Sequence, residues 1–106
     1  MRNLAVKADA NGDFPTWCRV PSDTVNSFTL AAGVARSATV PALASKVFFS
    51  CTTNYYVKYN GAATVPGDAT DGSASELNPS CYIVKAGDTL GIISPIAGTI
   101  TLTYYR

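Results

Sequence analysis

The stretch Thr99–Tyr105 alternates between polar and apolar residues almost without error. Thr99, Thr101 and Thr103 fall on one side, and Ile100, Leu102 and Tyr104 on the other. Successive side chains of a β-strand point to opposite faces, so this pattern describes a strand with one dry face and one wet face. A helix would scatter the same residues around its axis. The segment predicts that the end of the sequence is tied into a sheet. If that strand lies at an edge, Tyr105 becomes a contact for a neighbouring subunit that covers it.

Further strand patterns precede it at short intervals. They span Val25–Leu30, Ala35–Val40, Lys46–Cys51, Tyr55–Tyr59, Tyr82–Lys85 and Thr89–Ile93. Turn-forming pairs such as Ala-Gly, Thr-Asn and Asn-Gly separate them. Short strands at a spacing of about 8–12 residues, punctuated in this way, predict a sandwich or small barrel. Ala31–Ala35 has the composition of a helical turn, but Gly33 and the β-branched residues after it argue against anything longer. The expected fold is all-β: a single antiparallel β-sandwich, jelly-roll-like, over residues 24–106. Residues 1–23 form an extended N-terminal arm or edge strand. The arm holds a strand candidate at Asn3–Ala8, an Asn11-Gly12 turn and the proline-flanked segment Phe14–Pro21 around Trp17. With 106 residues, the chain has the length of one domain.

Composition narrows the function. Charged residues make up 14% of the chain, against a usual share of about 25%. A surface so poor in charge leaves neutral and apolar groups exposed, which points to contact with other proteins and to self-association. The net charge is +1 and no basic run appears, so a nucleic-acid partner is not expected. No run of about 18 apolar residues is present, so no membrane-spanning helix is expected. The opening residues reach charge too early for a secretory h-region, which predicts synthesis in a cytoplasm.

Histidine is absent from the sequence. The usual general base and the commonest metal ligand are therefore missing, and no Ser-His-Asp or Cys-His site can be assembled from one chain. Cys18, Cys51 and Cys81 form no C-x-x-C pair, and their odd number closes no disulfide framework. They read as small buried hydrophobes. No catalytic residue, cofactor or metal is expected.

The connection from Asn60 to Ser80 is long for a loop, and long loops are usually functional or disordered. It carries Asp68, Asp71 and Glu76 with no Lys or Arg, while the rest of the chain holds eight bases and four acids. An acidic loop on a mildly basic body sets loop against body when copies pack together, within the screening range of about 8–10 Å. Calcium is a weaker alternative, since Asp68, Asp71 and Glu76 carry oxygen ligands at a spacing unlike that of an EF-hand. A glycosidase is weaker still, because its carboxyl pair needs a shaped cleft. Tyr55 and Tyr59 share a strand face and Tyr56 takes the other. These rings either fill the core, with hydroxyls at its edge, or stack on a sugar.

Several segments together resemble small virion proteins of tailed bacteriophages. They are Ala35–Ala42, Val47–Ser50, Tyr55–Lys58, the loop with Asp71-Gly72-Ser73 and Glu76-Leu77-Asn78-Pro79, and Ala86–Leu90. The resemblance runs from about Phe28 to Tyr105. It implies a compact sandwich that decorates or cements a capsid. The implied partner is the major capsid protein, and the implied location is the virion, assembled in the host cytoplasm. The contacts expected on this reading are Trp17, Asp68, Asp71, Glu76, Leu77 and Tyr105. A tail, neck or fibre-attachment position, or a carbohydrate-binding module, are the alternatives.

Overall fold

A computed structural model describes residues 1–4 and 20–106. The described chain is all-β, and its eight strands form two four-stranded antiparallel sheets packed face to face. In chain order they are β1 (Thr24–Leu30), β2 (Arg36–Thr39), β3 (Lys46–Cys51), β4 (Tyr56–Tyr59), β5 (Glu76–Leu77), β6 (Cys81–Ile83), β7 (Thr89–Ile93) and β8 (Gly98–Tyr105). One sheet runs β1-β8-β3-β6 and the other β2-β7-β4-β5. The chain crosses between the sheets at most of its turns, so strands distant in sequence become neighbours.

The period-two pattern decides which residues meet. Leu30, Val47, Phe49, Ile100, Leu102 and Tyr104 are buried from the first sheet, and Val40, Val57, Leu90 and Ile92 from the second. The threonines of β8 stay on the opposite face, half-buried. Burying one such aliphatic side chain contributes about 1.5–3 kcal/mol, so the two inner faces together drive the packing.

The final strand is not an edge. It is paired along its length with β1 on one side and β3 on the other. The expectation that Tyr105 awaits a neighbouring subunit is corrected accordingly: Tyr105 is 0% exposed. Its hydroxyl donates to the Val20 carbonyl at 2.5 Å, and its ring meets Phe48 edge-on at 5.6 Å. Long apolar–polar alternation serves a central strand as well as an edge one, because a sandwich has one solvated face along its whole width.

The strand positions differ from the expected ones mainly at their ends. The bounds of β3 and β7 match, while β2 and β6 are shorter than the pattern implied. Ala31–Val34 is a turn: Gly33 adopts φ +69° and the Val34 amide donates to the Ala31 carbonyl. β5 arises inside the long connection from Asn60 to Ser80, where no strand is expected from the sequence. Of the N-terminal arm, residues 1–4 are not strand, and the rest of the Asn3–Ala8 candidate lies outside the described residues. Arg2 fastens this end to the sandwich. Its carbonyl accepts from the Arg106 amide at 2.8 Å, and its own amide donates to Asp23 Oδ1 at 3.2 Å.

Candidate functional site

The acidic connection between β4 and β5 is fastened down rather than loose. It begins at Asn60, which takes the left-handed conformation that asparagine tolerates, with φ 53°. The Asn60 amide donates to the Thr89 carbonyl at 2.7 Å, and Asn60 Oδ1 accepts from the Thr89 amide at 2.9 Å. This pair of hydrogen bonds to β7 turns the chain back over the outer face of its own sheet. There Gly61 and Ala63 pass so close to Gly91 that a side chain at Gly91 would collide with the Gly61 carbonyl. The strand glycine is a close-approach site.

Further along, the Thr64 amide donates to the buried Ser75 hydroxyl at 3.2 Å. Lys58, on the outer face of β4, donates its ammonium to the Ser73 carbonyl at 2.9 Å. Asp71 Oδ1 accepts from both the amide and the hydroxyl of Ser73, at 3.1 and 2.6 Å, across Gly72 at φ +89°. Those hydrogen bonds, the Ser73 hydroxyl first, hold the Asp71 carboxyl below its ordinary pKa, and the charge of Lys58 adds to the effect. β5 then pairs with β4, matching Leu77 to Tyr56 and Glu76 to Val57. Asn78 closes the connection by exchanging hydrogen bonds with the backbone of Tyr55.

Each expected contact residue has a definite place. Asp68 and Asp71 are exposed on the folded loop, and Asp71 also holds its turn. Glu76 is exposed on β5 and accepts the Tyr82 hydroxyl. Leu77 is 49% exposed beside half-buried Tyr56. Tyr105 is buried on the other sheet. Trp17 and Cys18 lie outside the described residues. Asp68, Asp71, Glu76 and Leu77 thus lie exposed along one connection, Glu76 and Leu77 on opposite faces of β5, and Tyr105 lies apart. Among the described residues no three His, Cys, Asp or Glu side chains form a group able to hold a metal ion, so the three acids do not converge as calcium ligands.

Tyr55, Tyr59 and Tyr82 gather around Phe49. Phe49 meets Tyr82 edge-on at 5.2 Å and Tyr55 at 6.1 Å, and Tyr59 meets Tyr82 at 6.3 Å. Rings from both sheets thus close this side of the sandwich, and their hydroxyls reach Pro79, Asp88 and Glu76 at its rim. Burial pushes the Tyr55 hydroxyl up to about 12. Burial, then the bond to Glu76, raises Tyr82 as well. The ring faces pack against one another instead of lining a row on the surface. Among the described cysteines, Cys51 is half-buried and Cys81 is exposed, so only Cys51 approaches the expected buried thiol.

Two features had no clear signal in the sequence. Arg36 on β2 reaches across to the other sheet, its guanidinium 4.7 Å above the Phe28 ring and donating to the Thr29 carbonyl at 2.9 Å. Exposed apolar side chains also dot the surface, including Val25 at 51% and Ile83 at 86%. No pocket opens among the described residues. No family model, curated protein or solved structure matches the chain.

Proposed function

We propose that the chain is a non-enzymatic structural protein of a bacteriophage particle, a decoration or cement protein that binds the major capsid protein. One observation supports this reading: the connection between β4 and β5 is held down by hydrogen bonds and leaves Asp68, Asp71, Glu76 and Leu77 exposed along it. A surface organised before it meets its partner loses little conformational entropy on binding. Two facing sheets of four strands are also the architecture of jelly rolls, which viral capsid domains use. A protein that binds only the assembled shell stabilises that shell by mass action. Many symmetry-related copies supply avidity even where each contact is weak.

The experiment adds purified chain to shells of the particle stripped of it, and measures binding and the temperature of shell rupture. Binding and a raised rupture temperature support the reading. Asp68→Lys and Leu77→Lys, both at exposed positions, are expected to weaken binding while the chain stays folded. Parent protein that leaves shells unbound and unprotected overturns the decoration role. Labelled antibody on whole particles separates the alternative virion position, because tail-only labelling identifies a tail, neck or fibre component.

Jelly rolls also serve lectins, and the half-buried Tyr56 beside exposed Leu77 offers a small ring surface. A glycan array probed with the parent, Trp17→Ala and Tyr56→Ala chains tests the carbohydrate reading. Absence of binding by the parent sinks it.

A further inference from the structure

The four sheet edges are not alike. β5 has two residues and carries Glu76; β6 has three; β2 has four and carries Arg36. Shortness and charge are the ordinary devices that stop an edge from pairing with another chain. β1 has neither. It is seven residues long, Thr24–Leu30, with no charged residue and no proline. It pairs with β8 residue by residue without a bulge.

The hydrogen-bond directions show what this edge offers. Thr99 directs both backbone groups toward β3: its amide donates to Thr52 Oγ1 at 3.0 Å and its carbonyl accepts from the Thr52 amide at 3.1 Å. The alternate residues of β8, Gly98, Ile100, Leu102 and Tyr104, therefore bond to β1. Their partners are Leu30, Phe28, Asn26 and Thr24. Val25, Ser27 and Thr29 consequently aim their amides and carbonyls away from the sheet. The Thr29 carbonyl is met by Arg36. Among the described residues nothing meets the backbone groups of Val25 and Ser27.

We propose that β1 is the self-association site of this protein, pairing antiparallel with β1 of a second copy about a two-fold axis at Asn26. This register matches Val25 of each copy with Ser27 of the other, so these two of the three outward residues exchange amide–carbonyl bonds at both pairs. It spares the Thr29 carbonyl already held by Arg36. It also sets Asp23 of one copy level with Thr29 of the other, where the second copy's Arg36 guanidinium lies. At that level Asp23 already accepts from the Arg2 amide and lies 3.7 Å from the Met1 ammonium, so the pairing rests on the backbone bonds of Val25 and Ser27. No like charges oppose one another along the strand, because it has none. The two four-stranded sheets containing β1 become one continuous eight-stranded sheet. The inference rests on this edge and not on the capsid reading, so a chain that pairs but binds no shell would overturn that reading and leave this one standing.

Sedimentation of the purified parent chain over a concentration series tests the pairing, with hydrogen exchange followed at single amides. The expected result is a reversible monomer–dimer equilibrium in which the Val25 and Ser27 amides become protected as the dimer forms. Ser27→Pro removes an amide that bonds nothing within one copy, so it is expected to leave the thermal midpoint nearly unchanged and abolish the dimer. Asn26→Lys sets two ammonium groups across the axis and is expected to do the same without altering the backbone. Asn26→Cys places two thiols at a non-hydrogen-bonded pair, within the span of a disulfide, and is expected to cross-link under oxidation well beyond the parent's own cysteines. A parent that stays monomeric overturns the proposal. So does a dimer whose Val25 and Ser27 amides exchange as fast as in the monomer, or one that survives Asn26→Lys.

Discussion

Tyr104 and Tyr105 are consecutive residues of β8 with opposite hydroxyl fates. Tyr105 donates to the Val20 carbonyl at 2.5 Å, whereas the buried Tyr104 hydroxyl has no partner among the described residues. Both rings are fully buried, but alternation sends them to opposite faces of the sheet. A buried hydroxyl without a bond costs about 1–3 kcal/mol, while one that keeps its bond contributes about 1 kcal/mol. Tyr104→Phe is therefore expected to stabilise the fold by about 1 kcal/mol, and Tyr105→Phe to destabilise it by a similar amount. Denaturant unfolding of the two variants checks this; equal shifts of the same sign would contradict it.

Gly91 is matched to Ser37 and Lys58 in the sheet, while the Gly61–Ala63 backbone crosses above it. A methyl group there meets main-chain atoms, which cannot rotate away as a side chain can. Gly91→Ala is expected to cost about 3 kcal/mol, at the upper end of overpacking penalties. Gly67→Ala, where a side chain has open space, is the control and is expected to change stability little. Thermal midpoints of the two variants decide.

Lys58 ties the acidic connection to β4 through the Ser73 carbonyl. Lys58→Met keeps most of the stem and removes the donor. The expected result is faster hydrogen exchange at Thr64 and Ser73 with little change in the thermal midpoint, because exposed charged contacts contribute little to global stability. Unchanged exchange at both amides would show that the loop holds its shape without Lys58.

In alkali, Tyr55 and Tyr82 are expected to destabilise the fold. Their hydroxyls are raised above the ordinary value of 10.0, Tyr55 to about 12, chiefly by burial. The unfolded chain ionises first, so stability is intact below about pH 10 and falls as pH rises toward and through the folded values. Unfolding midpoints measured from pH 8 to pH 12, as a titration of about 4 units around the free tyrosine value, follow this loss. Tyr55→Phe and Tyr82→Phe should each flatten it.

Asp88 acts at the opposite end of the scale. The Tyr59 hydroxyl first, then the Lys85 amide, hold its carboxyl below the ordinary value of 3.8. A lowered folded value contributes stability above the unfolded value, and that contribution is lost as pH falls through the folded one. Acid unfolding curves of the parent and Asp88→Asn should diverge at neutral pH and converge in strong acid. Parallel curves would show that the contact contributes no net stability.

What depends on neighbours in sequence is legible along the chain. Period-two alternation located Lys46–Cys51 and Thr89–Ile93 at their observed bounds, and the turn residues separated the strands. The acidic loop is recognisable from Asp68, Asp71 and Glu76, since the connection itself contains no Lys or Arg. The pairing of Glu76–Leu77 with β4 is not, because two residues carry no periodicity. The approach of Gly61 to Gly91 and the reach of Arg36 to Phe28 are contacts between segments on different strands, with no local pattern to announce them.

The alternation of Thr99–Tyr105 determined that this segment is a strand with a dry face and a wet one, since side-chain direction follows from the backbone of the strand itself. Its position was decided only by the tertiary structure. Hydrogen bonds to β1 and β3 made it the interior strand and left the uncharged β1 at the edge. Which strand is left unpaired depends on the order of strands in the sheet, and that order is set by packing two faces together across the whole chain.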